Sequence, residues 1–237
     1  MMSLHIETER LRLVAQTKDN TRAAIKDRNL FGQLLGAYIP KEWPHEMMAD
    51  AEPYFADMLS QDPDSIGWWG WYVILKSQAP AEDILIGGAG FLGRPSPEGT
   101  IVMGYSILTQ YEGKGYATET AQSLINWAFN HKEVTCVAAE TFPSLPLSIR
   151  VLEKCGLIYV GVGSEDGTIR YERRKTGSVV SATDLSRTFV GIEYTAANQI
   201  QNESLNTKRA DLQYEVLENE KKWISDSRAD ELLNSQK

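Results

Sequence analysis

The hydrophobic pattern of this chain is clearest around a pair of glycines near its middle. Residues 101–108 are rich in β-branched and aromatic side chains, which predicts a buried strand over residues 100–109. From residue 117 to residue 128 the apolar positions recur at helical spacing, which predicts an amphipathic helix. Gly113 and Gly115 lie between the two segments. The pattern therefore predicts a strand, a glycine turn and a helix in direct succession.

The flanking sequence predicts further elements by the same periodicities. Before the glycines we expect a first strand that ends near Ala15, helices over residues 23–35 and 46–59, and strands over residues 72–75 and 84–92. After them we expect a strand over residues 134–141, a helix over residues 144–155 that ends at Gly156, and strands over residues 157–162 and 168–174 joined by a hairpin. Strands that alternate with helices, with hairpins at both ends, predict a mixed α/β sheet with flanking helices.

The C-terminal quarter of the chain has a different pattern. Residues 205–233 place Leu212, Val216 and Trp223 on one side of a predicted helix. We interpret residues 1–177 as one domain and residues 178–237 as a partly helical extension. The apolar side of that helix is expected to pack on the domain or on a second subunit, which predicts a monomer or a homodimer.

Length, charge and cysteine content limit the class of protein. The chain has 237 residues, of which 42% are hydrophobic, enough for one sizeable core. No apolar run approaches the roughly 20 residues that cross a bilayer, and no signal-peptide pattern is present, so we expect a cytoplasmic protein without membrane contact. The net charge of −8 disfavours a nucleic-acid partner and suits an amine or basic-peptide substrate. Cys136 and Cys155 lack metal-ligand spacing, so we expect buried thiols and no metal site.

The glycine turn is a candidate anion site. Glycines allow positive φ and close approach of backbone N–H groups to a ligand, and a helix start adds partial positive charge. A phosphate or diphosphate is the expected ligand, although a Gly-x-Gly turn also occurs as plain strand-to-helix punctuation. The spacing excludes a Walker phosphate loop, and Thr118 stands where a dinucleotide fingerprint needs its third glycine. The turn does match the pattern Gln/Arg-x-x-Gly-x-Gly/Ala, with Gln110, Gly113 and Gly115.

That pattern is similar to the cofactor motif of the GCN5-related N-acetyltransferases, the GNAT superfamily. Residues 7–13 resemble the first strand of the branch that contains the ribosomal-protein N-acetyltransferases of the RimJ/RimL type. Residues 104–107 and 113–119 resemble the central strand and cofactor turn of that branch. Residues 139–143 and 148–157 resemble the strand and helix that close the other side of the site. The chain is thus identified as a member of this superfamily by several ordered blocks.

The resemblance implies an acyl-CoA N-acyltransferase fold that binds acetyl-CoA. Its sheet is mostly antiparallel, and its central parallel strands, here residues 100–109 and 134–141, splay apart around the pantetheine arm. Ile107 and Thr109 would then offer backbone groups to the arm. The implied contacts with acetyl-CoA are made by Ile107, Leu108, Thr109, Gln110, Glu112, Gly113, Lys114, Gly115, Tyr116, Ala117, Thr118, Leu145 and Ser148.

The resemblance also implies an activity, the transfer of an acetyl group to a primary amine by direct attack in a ternary complex. Within the branch, a protein or peptide N-terminus is the leading acceptor, and small amines remain open. Four tryptophans, which could stack on a cationic or apolar group, are candidates for an acceptor pocket: Trp43, Trp68, Trp69 and Trp71. The alternative for each of them is a place in the core.

Three departures from the family pattern leave the catalytic chemistry open. Leu145 stands where the family commonly has Asn, Val102 where it often has Glu, and Leu152 where some branches have a Tyr that protonates the thiolate. Ser148 is a candidate donor to the sulfur, with helix capping as the alternative. Glu140 is a candidate base, with a surface carboxylate as the alternative. The departures also keep a second function open, a non-catalytic acyl-CoA-binding module with a protein-interaction tail.

Overall fold

A computed structural model of the chain describes residues 4–45, 51–77 and 82–176, and these residues form one eight-stranded sheet flanked by helices. In chain order the elements are β1 (His5–Glu7), β2 (Leu11–Ala15), α1 (Lys18–Lys26), α2 (Arg28–Leu35), α3 (Ala51–Gln61), β3 (Gly70–Leu75), β4 (Ile84–Phe91), β5 (Thr100–Ile107), α4 (Tyr116–Phe129), β6 (Cys136–Thr141), α5 (Pro146–Lys154), β7 (Ile158–Val162) and β8 (Ile169–Arg174). None of the helices in this described part combines the length and the apolar composition that a membrane span requires.

The strand order confirms the mixed sheet. It runs β1-β2-β3-β4-β5-β6-β8-β7. β5 and β6 pair in parallel, and every other neighbouring pair is antiparallel. The hairpin predicted between β7 and β8 is present, and β4 and β5 form another. The predicted α/β class, mostly antiparallel with a central parallel pair, is therefore correct.

Two predicted elements are each interrupted by a polar side chain. The first strand is a hairpin of β1 and β2, because Thr8 reverses the chain through hydrogen bonds to Leu11. The helix predicted over residues 23–35 is two helices, because Asp27 has an extended backbone that ends α1. Its carboxylate then accepts hydrogen bonds from the N–H groups of Asn29 and Leu30 and caps α2. Apolar periodicity does not register such local polar contacts.

Other predictions hold with small changes at the boundaries or lie outside the described residues. β6 and α5 each begin two residues after the predicted start. The helix predicted over residues 46–59 is seen from Ala51 onward, and residues 46–50 lie outside the described residues. The extension over residues 178–237, with its predicted helix, also lies outside them. The division of the chain at residue 177 stays a prediction.

The core lies on both faces of the sheet. On one face α4 buries Ala121, Leu124, Ile125 and Ala128, the apolar side that its periodicity predicts. On the other face, α1 and α2 cover a second cluster that includes Phe31, Leu35 and Tyr72. Burial of a large apolar side chain contributes about 1.5 to 3 kcal/mol, so both layers hold the sheet in place. Cys136 and Cys155 are free and buried, as predicted.

Three of the four tryptophans predicted to line an acceptor pocket are instead part of this core. Trp68 and Trp71 lie against Trp127 of α4, with ring centroids 5.0 and 5.4 Å away, and Trp43 lies against Tyr72. Each of the three is at most 5% exposed. This burial does not favour their assignment to an acceptor pocket, because the sheet and helices already cover their faces, and that assignment stays a prediction. Only Trp69 is half-buried; its indole N–H donates to Ser65 and its ring meets the exposed Tyr54.

One ionisable group is buried between α3 and the sheet. Glu52 is 4% exposed and accepts hydrogen bonds from the Tyr72 hydroxyl at 2.8 Å and from the Gln16 amide at 3.2 Å. Burial raises the pKa of Glu52 to about 7, although the hydrogen bonds from Tyr72 and Gln16 act to lower it. No positively charged side chain pairs with this carboxylate among the described residues.

We expect Glu52 to make the folded protein less stable as the pH rises. An unfolded glutamate ionises near pH 4.3, whereas Glu52 keeps its proton in the fold until about pH 7, so the folded state holds the extra proton between those values. The contribution of Glu52 to the free energy of unfolding is greatest below about pH 4.3 and is lost as the pH rises through about 7. Between about pH 5 and about pH 8 the loss approaches about 3 kcal/mol.

Denaturant unfolding of the wild type and of Glu52→Gln across that range measures this effect. The difference in unfolding free energy between the two proteins should change with pH, because glutamine does not titrate. Glu9→Gln, which changes an exposed carboxylate, should follow the wild type. Parallel pH profiles for the wild type and Glu52→Gln would contradict the expected titration.

Candidate active site

The sheet opens between β5 and β6. The two strands pair only over Thr100↔Cys136, Ile101↔Val137 and Val102↔Ala138. Beyond these pairs, residues 103–107 of β5 are bonded to β4 alone, and residues 139–141 of β6 to β8 alone. We call this gap the split. Its facing edges carry backbone groups without a strand partner, which a ligand arm can satisfy.

The glycine turn follows directly on β5. Residues 109–111 make one 3₁₀ turn, after which Gly113 and Gly115 adopt φ of +72° and +84°. Gly115 is the N-cap of α4, where no side chain caps the helix. Within the described residues, no protein group accepts a hydrogen bond from the backbone N–H groups of residues 113–118, the anion turn. These N–H groups, together with the positive end of a 14-residue helix, suit a phosphate or diphosphate.

The structure distinguishes among the other predicted cofactor residues. The Leu108 N–H donates to the Ile86 carbonyl and is not available to a ligand. Thr109 and Gln110 use their carbonyls within the turn, accepting from the Glu112 N–H and from the Lys114 ammonium. Leu145 is the N-cap residue of α5 and its side chain is exposed. The assignment of these residues to acetyl-CoA stays a prediction.

A charged network from the β1–β2 turn holds the anion turn. The Arg10 guanidinium contacts one Glu119 carboxylate oxygen through Nε and Nη2, each at 2.7 Å. Its Nη1 donates to the Lys114 carbonyl at 2.9 Å, and it lies 4.7 Å from the centre of the Tyr116 ring. The other Glu119 oxygen accepts from the Thr8 hydroxyl and the Arg10 N–H. Burial acts to raise the pKa of Glu119, but the hydrogen bonds from Thr8 and Arg10 outweigh it and the pKa is lowered.

Tyr105 and Ser148 meet across the split. The Tyr105 hydroxyl donates to the Ser148 carbonyl at 3.1 Å and lies 3.3 Å from the Ser148 Oγ. Burial raises the pKa of Tyr105 to about 12, against the effect of the hydrogen bond to Ser148, so the phenol stays protonated at neutral pH. Ser148 is the third residue of α5, not its cap, because Leu145 occupies the N-cap position and Pro146 follows it. The capping alternative for Ser148 is therefore wrong.

Glu140 lies near the end of β6, and its carboxylate is already bonded. One carboxylate oxygen accepts from Arg170 at 2.9 Å, and the other accepts from the N–H and hydroxyl of Ser164, each at 2.8 Å. Burial acts to raise the pKa of Glu140, but the bonds from Ser164 and Arg170 outweigh it and the pKa is lowered. A carboxylate with a lowered pKa is a weak proton acceptor. Its role as the base stays a prediction that these contacts do not favour.

Sequence reasoning missed Arg10, Glu119 and Tyr105. The motif blocks contain all three, but their partners are far away in the chain, and only the fold brings the pairs together. Across the described residues, His, Cys, Asp and Glu side chains nowhere gather in a group of three or more that could hold a metal ion.

Comparisons with known proteins agree with this geometry. The profile of the family described as "Acetyltransferase (GNAT) domain" matches residues 10–158, which include the split and the anion turn. The Bacillus subtilis (strain 168) protein named "Uncharacterized N-acetyltransferase YjdG" is 33% identical over 153 residues, which cover 65% of this chain and 89% of that protein.

Two solved structures share the fold at low sequence identity. The ribosomal-protein-S5-alanine acetyltransferase from Vibrio fischeri is 17% identical with a TM-score of 0.53, over 75% of this chain and 100% of that one. The ribosomal L7/L12 alpha-N-protein acetyltransferase RimL, solved in complex with coenzyme A, is 14% identical with a TM-score of 0.50, over 74% of this chain and 100% of that one. At these identities the likeness establishes the fold alone.

Proposed function

Because this chain belongs to the GNAT acetyltransferase family, we propose that it transfers the acetyl group of acetyl-CoA to a primary amine by direct attack in a ternary complex. The observation that carries the proposal is the split, which opens directly beside the anion turn. An extended ligand with a diphosphate at one end and an amide-containing arm matches both features. The family membership makes acetyl-CoA the ligand of choice.

The residues present fit acetyl-CoA in two places. The N–H groups of residues 113–118 would bind its diphosphate, because they converge at a helix start and have no protein acceptor among the described residues. The unpaired edge of β5, residues 103–107, would bond the amides of the pantetheine arm as a strand bonds its neighbour. When bound, acetyl-CoA supplies the acetyl group as a thioester whose sulfur leaves as a thiolate.

Ser148 is our candidate for the proton donor to that sulfur. Its hydroxyl lies at the start of α5 across the split, and the protonated Tyr105 phenol donates to its backbone carbonyl. Tyr105 thus holds the first turn of α5 against β5, and its hydroxyl oxygen lies 3.3 Å from the Ser148 Oγ. A positioned hydroxyl that shares its proton with the sulfur as the C–S bond breaks stabilises the leaving group. The proton that the amine loses on attack replaces it through water, so that the products are the amide, the free thiol and a neutral Ser148.

The acceptor is an amine, and we propose a protein or peptide N-terminus as its class. The support is the fold shared with acetyltransferases whose names specify ribosomal proteins, together with the net charge of −8, which favours approach of a cationic substrate. An ammonium must lose a proton before it attacks. Of the groups considered, neither Val102 nor the bonded Glu140 is suited to take it, so transfer to water is the simplest route.

An assay of thiol release with acetyl-CoA and a panel of amines tests the proposed activity. The panel should include peptides with free and with blocked N-termini, polyamines and aminoglycosides. We expect free coenzyme A to form with at least one free amine and not with its blocked counterpart.

One rival function is a non-catalytic acyl-CoA-binding module. It is favoured by three apolar residues at positions where the family often has polar groups, namely Leu145, Val102 and Leu152. Binding of acetyl-CoA without thiol release across the panel would identify that module instead.

A further inference from the structure

A negative charge follows the anion turn directly in the chain. Glu119 is the fourth residue of α4, one helical turn behind the start of the helix. Its lowered pKa keeps it ionised at neutral pH. A carboxylate in the first turn stabilises an empty helix start, but it repels a diphosphate that binds there. The site therefore needs a compensating positive charge at Glu119.

Arg10 supplies that charge from a different part of the chain. Its guanidinium contacts the Glu119 carboxylate through two nitrogens and the Lys114 carbonyl through a third. It also lies close to the turn itself, since its Nη2 is 3.5 Å from the position of a Cβ added at Gly115. Two of the five guanidinium N–H groups have no protein acceptor among the described residues, and the side chain is 42% exposed. Arg10 can therefore face a ligand while it stays bonded to the turn.

We propose that Arg10 is a positioning residue for the diphosphate. It neutralises Glu119, and by bonding the Lys114 carbonyl it keeps that oxygen away from the ligand, so that the anion turn presents N–H groups and positive charge. This inference rests on the proposed function, because it assumes that a diphosphate binds at residues 113–118. It adds a residue outside the glycine motif to the recognition of that group.

The test removes the charges of Arg10 and Glu119 by substitution, one at a time and together. Calorimetry then measures the affinity of each variant for coenzyme A. Arg10→Met is expected to weaken binding about tenfold, because it removes one positive charge and leaves Glu119 unpaired beside the phosphates. Adding Glu119→Gln to that variant should recover most of the loss, because it removes the repulsion. Arg10→Lys keeps the positive charge but not the contact of two nitrogens with Glu119. It should therefore lose less affinity for coenzyme A than Arg10→Met does. The loss should shrink at high salt, which screens exposed charges.

A donor without phosphates separates this role from a general effect on the fold. Arg10→Met should lower kcat/KM for acetyl-CoA but leave kcat/KM for acetyl-pantetheine nearly unchanged. Arg94→Met is a matched control, because Arg94 forms an exposed ion pair with Asp62 at the opposite end of β5. This variant should bind coenzyme A with the affinity of the wild type.

Each outcome has a distinct meaning. If the wild type fails to bind coenzyme A, the proposed function is wrong. If the wild type binds and Arg10→Met binds equally tightly, the inference about Arg10 is wrong. It is equally wrong if the double variant recovers nothing, or if acetyl-pantetheine turnover falls as far as acetyl-CoA turnover.

Discussion

Ser148→Ala should lower kcat about a hundredfold, the low end of general acid effects, and change the affinity for acetyl-CoA much less. The substitution removes the Oγ that we assign to the leaving sulfur. It keeps the backbone carbonyl that accepts the Tyr105 hydroxyl, so the first turn of α5 stays against β5. The measurement is kcat and the calorimetric Kd on the same preparation, with the amine that the panel identifies.

Stability measurements distinguish this effect from a folding defect. Because Ser148 does not cap α5, its replacement should not cost the roughly 1 kcal/mol that loss of a cap costs. Ser60→Ala is the matched control, since Ser60 is a helical serine like Ser148 but lies in α3, where its hydroxyl donates to the Ala56 carbonyl. The kcat of this variant should equal that of the wild type. An unchanged kcat in folded Ser148→Ala would remove Ser148 from the mechanism.

Gly115→Val should weaken acetyl-CoA binding by at least tenfold, about 1.4 kcal/mol. Gly115 has φ of +84°, a conformation that a β-branched residue rarely adopts, so the turn must shift to accept valine. The added side chain also extends beside the N–H groups that we assign to the diphosphate. Calorimetry with coenzyme A, together with the melting temperature of the variant, measures both consequences.

The control for this variant is a glycine with the same backbone strain in another place. Gly156 has φ of +75° at the end of α5, and the nearest atom to an added Cβ is 3.7 Å away in the flexible Arg173 side chain. Gly156→Val should therefore lose stability to a similar degree but bind coenzyme A with wild-type affinity. The placement of the diphosphate is refuted if folded Gly115→Val and Gly156→Val bind equally well.

The central unit of the site was predictable because its signals are local. The apolar spacing of residues 117–128 gives the buried side of α4, and two glycines two positions apart give the left-handed turn before it. The turn at Thr8 and the helix end at Asp27 were missed, although their causes are also local. A single polar side chain that bonds nearby backbone does not change the spacing of apolar residues on which the prediction rests. The role of the aromatic loop was not predictable for another reason. Tryptophan suits a pocket and a core equally well, and only the neighbours of Trp68 and Trp71 decide between them.

The sequence by itself determined the fold class, the glycine turn and the resemblance to the acetyltransferases, because periodicity and short motifs reflect the backbone within a few residues. The tertiary structure decided which chemical groups meet. The Arg10 N–H and the Glu119 carboxylate are separated by 109 positions, and Tyr105 and Ser148 by 43. Their contacts depend on the order of the strands and on where β5 and β6 part. Those features follow from packing of the whole sheet against its helices, which no local pattern contains.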